Sequence, residues 1–127
     1  MIISVLKSKI HGAIVTDAQI HYTGSITIDK TLMEHARIIP FEKVMVVSLD
    51  SGERLETYAI EGKTGSGEVC INGAAARKIL KGDKIIIMSF AGINEAEVAD
   101  FKPVIVLVNE NNTISGQERK AESNDEC

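Results

Sequence analysis

Isoleucine and valine come in short runs in this chain, and a turn signal cuts each run before it reaches helical length. Ile2 to Leu6 and Ile10 to Thr16 open the series, and Ile20 to Tyr22 and Ile26 to Ile28 follow. Val44 to Leu49 ends at the turn Asp50-Ser51-Gly52, and Glu53 to Ile60 returns as its hairpin partner. Glu68 to Ile71, Lys84 to Phe90 and Val104 to Val108 complete the set. β-Branched residues suit a pleated, half-buried surface, so turns at this spacing predict strands. Helix signals are short. Asp29 can cap Lys30 to Arg37, where Leu32, Met33 and Ala36 share a face. Ala74 to Lys78 suggests a second short helix, and Asn94 to Val98 a single turn. The pattern predicts a mainly β fold, a small barrel or sandwich. Closing a barrel removes exposed strand edges, which suits so many short strands.

At 127 residues the chain has the length of one domain. A hydrophobic fraction of 44% supports one core, and with aromatics at 4% and no Trp that core must be aliphatic. The formal net charge of -4, with both signs mixed along the chain, argues against a nucleic-acid partner. No apolar run approaches the roughly 20 residues that cross a membrane as a helix. Lysines interrupt the apolar opening MIISVLKSKIHG, against a signal peptide. These features imply a cytoplasmic protein with no membrane partner. The folded domain is predicted over residues 1–115. From Ser115 onward, SGQERKAESNDEC holds no aliphatic side chain larger than alanine, so residues 116–127 are predicted to be a disordered tail. Cys70, in an apolar run, and Cys127, the last residue, form neither a disulfide framework nor a metal site.

Two glycine–serine pairs carry possible chemistry, Gly24-Ser25 in YTGSIT and Gly65-Ser66 in EGKTGSG. The second lies in a glycine-rich surface loop, Glu61 to Gly67, with nothing in the sequence to hold it in place. Either pair is most simply a turn. A serine hydroxyl can nevertheless attack the preceding carbonyl carbon and turn the amide into an ester. Elimination of the ester gives dehydroalanine, and its hydrolysis leaves a pyruvoyl group. Glycine leaves the approach unblocked and tolerates strained backbone. An ester is less stable than an amide, so the fold must strain the peptide or stabilise the oxyanion, and Thr57 is a plausible donor.

Other polar residues have ordinary readings when taken singly. Lys9 and His11, two apart, share a strand face, as do Arg54, Glu56 and Tyr58, with Thr57 opposite. Lys9 and Arg54 suit solvated charges, His11 a hydrogen-bonded structural residue, and Tyr58 a half-buried strand position. Asn72-Gly73-Ala74-Ala75-Ala76 offers small residues and backbone amides around a short helix start. Together, Lys9, His11, Tyr22-Thr23-Gly24-Ser25, Arg54 to Ile60 and Asn72 to Ala76 resemble the bacterial L-aspartate α-decarboxylase family. The resemblance runs from Met1-Ile2 through Gly82-Asp83 to Ser89-Phe90.

That resemblance implies a six-stranded double-psi β-barrel with short helices, assembled as a homotetramer. It implies an inactive proenzyme that cleaves itself between Gly24 and Ser25 into a 1–24 β chain and a 25–127 α chain, the latter starting with a pyruvoyl cofactor made from Ser25. The implied activity is decarboxylation of L-aspartate to β-alanine and CO2 for pantothenate biosynthesis, through a Schiff base on the pyruvoyl ketone, which serves as the electron sink. Tyr58 matches the proton donor, and Thr57 matches the residue that assists processing. Arg54 suits a clamp on the retained carboxylate and Lys9 adds a second charge, with the choice of which meets which carboxylate left open. Asn72, Gly73, Ala74, Ala75 and Tyr22 match residues lining the site, which His11 supports. Some relatives have tryptophan where this chain has Val47, though no step needs an indole. An unprocessed binding barrel, a self-cleaving protein with an amino-terminal serine nucleophile, and the same chemistry on glutamate remain alternatives at this point.

Overall fold

A single strand, β1 (Ile2–Ile14), runs where the sequence suggested two. The polar residues Lys7, Ser8 and Lys9 do not interrupt it. Ser8 is fully buried and faces Ser89, and the two hydroxyls hydrogen-bond at 2.8 Å, so the core accepts both. The register instead shifts twice, between Leu6 and Ser8 and between His11 and Ala13, where Gly12 takes a φ of 93°.

The structure, a computed structural model, describes residues 1–119. After β1 come β2 (Asp17–Gln19), β3 (Ser25–Asp29), helix α1 (Lys30–His35), β4 (Lys43–Ser48), β5 (Arg54–Gly62) and β6 (Val69–Asn72). A 3-10 helix, Gly73–Arg77, leads to β7 (Lys84–Asn94). A second, Glu95–Asp100, precedes β8 (Val104–Val108) and β9 (Ile114–Arg119). The protein is mainly β, as expected. Among the described residues the strand order is β2-β6-β3-β5-β4-β7-β1-β8-β9. Pairing is mixed: β1 with β8, β2 with β6 and β3 with β5 are parallel, and the other neighbours are antiparallel.

Two expectations need correction. Ile20 to Tyr22 is a turn, closed by the Tyr22 amide on the Gln19 carbonyl at 3.2 Å. Pairing with β6 ends at Gln19, so these apolar residues have no strand to join. The tail expected from residue 116 instead continues the last strand through Arg119, paired with β8. Ladder bonds need no apolar side chain, which is why a polar run can form an edge strand. The remainder of that expected tail, residues 120–127, lies outside the described residues.

One apolar cluster draws on β1, β3, β4, β5, β6, β7, β8 and α1. Ile10, Ile26, Ile28, Ile85 and Ile87 are fully buried in it, and α1 adds Leu32 and Met33. Burying each such side chain contributes about 1.5–3 kcal/mol. Asp29 caps α1 through the Thr31 amide, as its position predicts, at 2.8 Å. The same carboxylate accepts from the Gly65 and Gly67 amides at 2.9 and 2.8 Å. Burial pushes its pKa up, but these amides, Gly67 foremost, outweigh that and hold it below the usual 3.8. Asn112 grips the Gly67 carbonyl from the other side at 2.8 Å. No helix among the described residues is long and apolar enough to cross a membrane.

Candidate active site

Strands β3 and β6 bring the chemistry together. Their antiparallel register sets Ser25 opposite Asn72 and Thr27 opposite Cys70. Residues two apart on a strand share a face, so these side chains form one block. The Asn72 amide nitrogen donates to Ser25 Oγ and to Thr27 Oγ1, each at 3.0 Å. Ser25 Oγ donates in turn to the Thr23 carbonyl at 3.3 Å. The Cys70 thiol donates to Asn72 Oδ1 at 3.3 Å. Asn72 stands at the N-cap of the 3-10 helix but makes no cap bond, because its side chain is committed to β3.

Ser25 is 4% exposed, whereas Gly24 before it is open to solvent. Apart from chain neighbours, a Cβ at Gly24 would meet nothing within 4 Å. Packing demands glycine elsewhere. Gly73 has a φ of 80°, and a Cβ there would lie 2.7 Å from the Gly24 Cα and 3.0 Å from the Tyr22 carbonyl oxygen. The backbone of residue 73 thus rests directly on the glycine–serine turn.

An open cavity of about 640 Å³ lies over this block. Ser25, Asn72, Tyr22 and Tyr58 all line it, so these expected residues meet. Tyr58 is half-buried and its ring contacts Phe41 at a centroid distance of 6.2 Å. Thr27, Cys70, Asp17 and Glu68 also line the cavity, and sequence reasoning missed them. The alternation of Cys70 with Asn72 and of Ser25 with Thr27 was the available signal. Hydrogen bonding to Gln19 and to the Ala18 amide holds the Asp17 carboxyl below its ordinary range.

Lys9, His11, Arg54 and Thr57 do not line this cavity, nor do Gly73, Ala74 and Ala75. Arg54 pairs with Val47, Val47 with Ile86, and Ile86 with His11, making one cross-strand row. Glu56, Met45, Met88 and Lys9 form the adjacent row. Both rows lie on the sheet face opposite the buried Val44, Val46, Ile85 and Ile87. Tyr58 joins this outward face to the cavity. Thr57 points the other way on β5 and is half-buried.

Fold and site define a class: a small, mainly β protein with a cavity lined by a buried serine at the start of a strand. Comparison with known proteins narrows it. The family described as Aspartate decarboxylase matches residues 1–115. Aspartate 1-decarboxylase of Clostridium beijerinckii is 55% identical over 114 residues, covering 90% of this chain and 92% of that protein. The Thermoanaerobacter pseudethanolicus protein of the same name is 57% identical over 108 residues, 85% of this chain and 92% of its own. That of Clostridium novyi is 51% identical over 115 residues, 91% and 94%. The chain belongs to the aspartate decarboxylase family.

Proposed function

We propose that this enzyme cleaves itself between Gly24 and Ser25 and then decarboxylates L-aspartate to β-alanine and CO2, supplying pantothenate biosynthesis. The observation that carries the reading is the Ser25 hydroxyl, buried next to a glycine with open space at its Cβ position and touched by the Asn72 amide. Ser25 Oγ attacks the Gly24 carbonyl carbon, the peptide C–N bond breaks, and the Ser25 nitrogen takes the hydroxyl proton. Elimination takes the Ser25 Cα proton to solvent and breaks the Cβ–Oγ bond, which frees the Gly24 carboxylate and leaves dehydroalanine at residue 25. Addition of water and loss of ammonia leave a pyruvoyl group on the 25–127 α chain, with 1–24 as the β chain.

The residues present fit that group: a cavity opens over residue 25, and Asn72 and Thr27 offer donors to hold it. When formed, it supplies an electron sink for the departing carboxylate's electrons. Tyr58, on the cavity wall, carries a hydroxyl suited to return a proton to the substrate carbon. Thr57 assists processing in this reading.

The substrate carries two carboxylates, yet the charged cavity lining of one chain is Asp17 and Glu68, with no Lys or Arg lining it among the described residues. The cations, Lys9 and Arg54, sit on the outward face among half-buried Met45, Val47 and Met88. A homotetramer reconciles the two: a second copy packed on that face covers the apolar residues and brings Arg54 and Lys9 to the carboxylates, with His11 in support. Gly73 and its neighbours Ala74 and Ala75 then border the bound substrate. The six-stranded double-psi barrel, spanning residues 1–115, is supported by the parallel β1–β8 and β3–β5 pairings around one core. A free amino-acid substrate suits a cytoplasmic enzyme.

Intact-mass spectrometry with borohydride trapping tests this. Two fragments are expected, the larger bearing a reducible carbonyl; an uncut chain, or a larger fragment starting with a free serine amine, overturns it. Tyr58→Phe protein should cleave normally yet turn over about 100-fold more slowly, within the usual range for losing a general acid. Undiminished turnover removes Tyr58 from that role.

A further inference from the structure

We propose that Cys70 is a positioning residue for the cleavage chemistry: its thiol fixes which end of the Asn72 amide faces Ser25. The inference rests on the self-cleavage reading above and assigns a residue within it.

An asparagine amide has two ends of nearly equal shape, one accepting and one donating. Thr27 does not choose between them, because a hydroxyl can donate or accept with equal ease, and Ser25 chooses only as far as its proton stays on the Thr23 carbonyl at 3.3 Å. Cys70 can choose. Its S–H meets Asn72 Oδ1 at 3.3 Å, while a reversed amide would trade that bond for an N–H on a weakly accepting sulfur. At the far end, Ser25 directs its own proton at the Thr23 carbonyl and leaves its lone pairs to accept. The donors therefore run one way, from Cys70 to Asn72 to Ser25 to the Thr23 carbonyl. Bonds aligned in this sense polarise one another.

The thiol has to remain protonated to act as a donor. Burial raises its pKa, and the nearby carboxylates of Asp17 and Glu68 raise it further. Cys70 is 6% exposed and lies on the strand next to the scissile bond, paired with Thr27 rather than with Ser25.

The gain falls on Ser25 Oγ when the ester breaks. That oxygen leaves as part of the Gly24 carboxylate and takes up negative charge. An N–H already aimed at it stabilises the departing anion; removing a donor from a developing oxyanion outright costs about 100- to 1000-fold in other acyl transfers. Cys70 acts through that donor rather than as one, so its loss should cost less.

The test follows cleavage of full-length precursor from cell-free synthesis by intact mass, with Cys70→Ala, Cys70→Val and Cys70→Ser compared in two backgrounds. Losing the thiol donor in Cys70→Ala or Cys70→Val should slow cleavage about 10-fold, and Cys70→Ser should restore it to within about 3-fold. In an Asn72→Ala background none of the three should slow cleavage further. Thermal melting should show the Cys70→Ala and Cys70→Val proteins folded at the assay temperature. Cleavage of Cys70→Ala and Cys70→Val at the wild-type rate overturns the assignment, as does equal slowing in Cys70→Ser or a full additional loss over Asn72→Ala. A wild-type chain that never cleaves overturns the processing reading itself, and this one with it.

Discussion

Gly24-Ser25 and Gly65-Ser66 are the same dipeptide in two settings. The second was expected to float in a loose loop, and it does not. The Gly65 and Gly67 amides are tied to Asp29, and the Gly67 carbonyl is tied to Asn112. Being held still therefore does not separate the two. The hydroxyls do. Ser66 is exposed, and its oxygen closes a turn, donating to the Lys63 carbonyl at 2.6 Å and accepting from the Glu68 amide at 3.1 Å. Ser25 is buried and accepts from a side-chain amide that Thr27 and Cys70 hold in place. Reactivity at such a bond depends on a desolvated nucleophile beside a donor aimed where charge will form.

The largest expected effect breaks the comparison outright. Ser25→Ala should abolish cleavage by intact mass, whereas Ser66→Ala should cleave at the wild-type rate; a cut Ser25→Ala chain would sink the reading. Next comes the support beneath the bond. Gly73→Ala puts a methyl against the Gly24 backbone at a φ of 80°. Backbone strain of this kind costs about 1–3 kcal/mol, and cleavage should slow by about 10-fold or more. Gly24→Ala has open space and should fold with an unchanged melting temperature. Smallest is the anchor of the other loop. Asp29→Asn should cost about 1–2 kcal/mol and speed amide exchange at Gly65 and Gly67. The Asp29 carboxyl titrates below its unfolded 3.8, so its contribution is complete above that pH and is lost as pH falls through the lower folded value. Wild type should therefore shed stability below about pH 4 more steeply than Asp29→Asn.

Local signals were legible where local chemistry decides. The Asp29 cap, the β4–β5 hairpin and the aliphatic core follow from residue type and spacing. The continuity of β1 did not, because Ser8 is tolerated only by Ser89, 81 residues away. The last strand was invisible because Gly116-Gln117-Glu118-Arg119 has no apolar face to read. At the site, Ser25, Tyr22, Tyr58 and Asn72 could be named from motifs. Thr27 and Cys70 needed the β3–β6 register, a fact of pairing between strands some 45 residues apart. The separation of Lys9 and Arg54 from that cavity is likewise a matter of which sheet face each strand presents.

One consequence lies in β1, which is held along its length by β7 and flanked by β8. A break after Gly24 would sever the backbone while leaving the amino-terminal piece threaded through the middle of the sheet. The scar would be invisible to any probe of shape, yet it would change how the protein survives damage. Unfolded precursor can return to its native form at a rate indifferent to dilution. Unfolded mature enzyme has become two molecules, and its recovery must slow as they are spread apart.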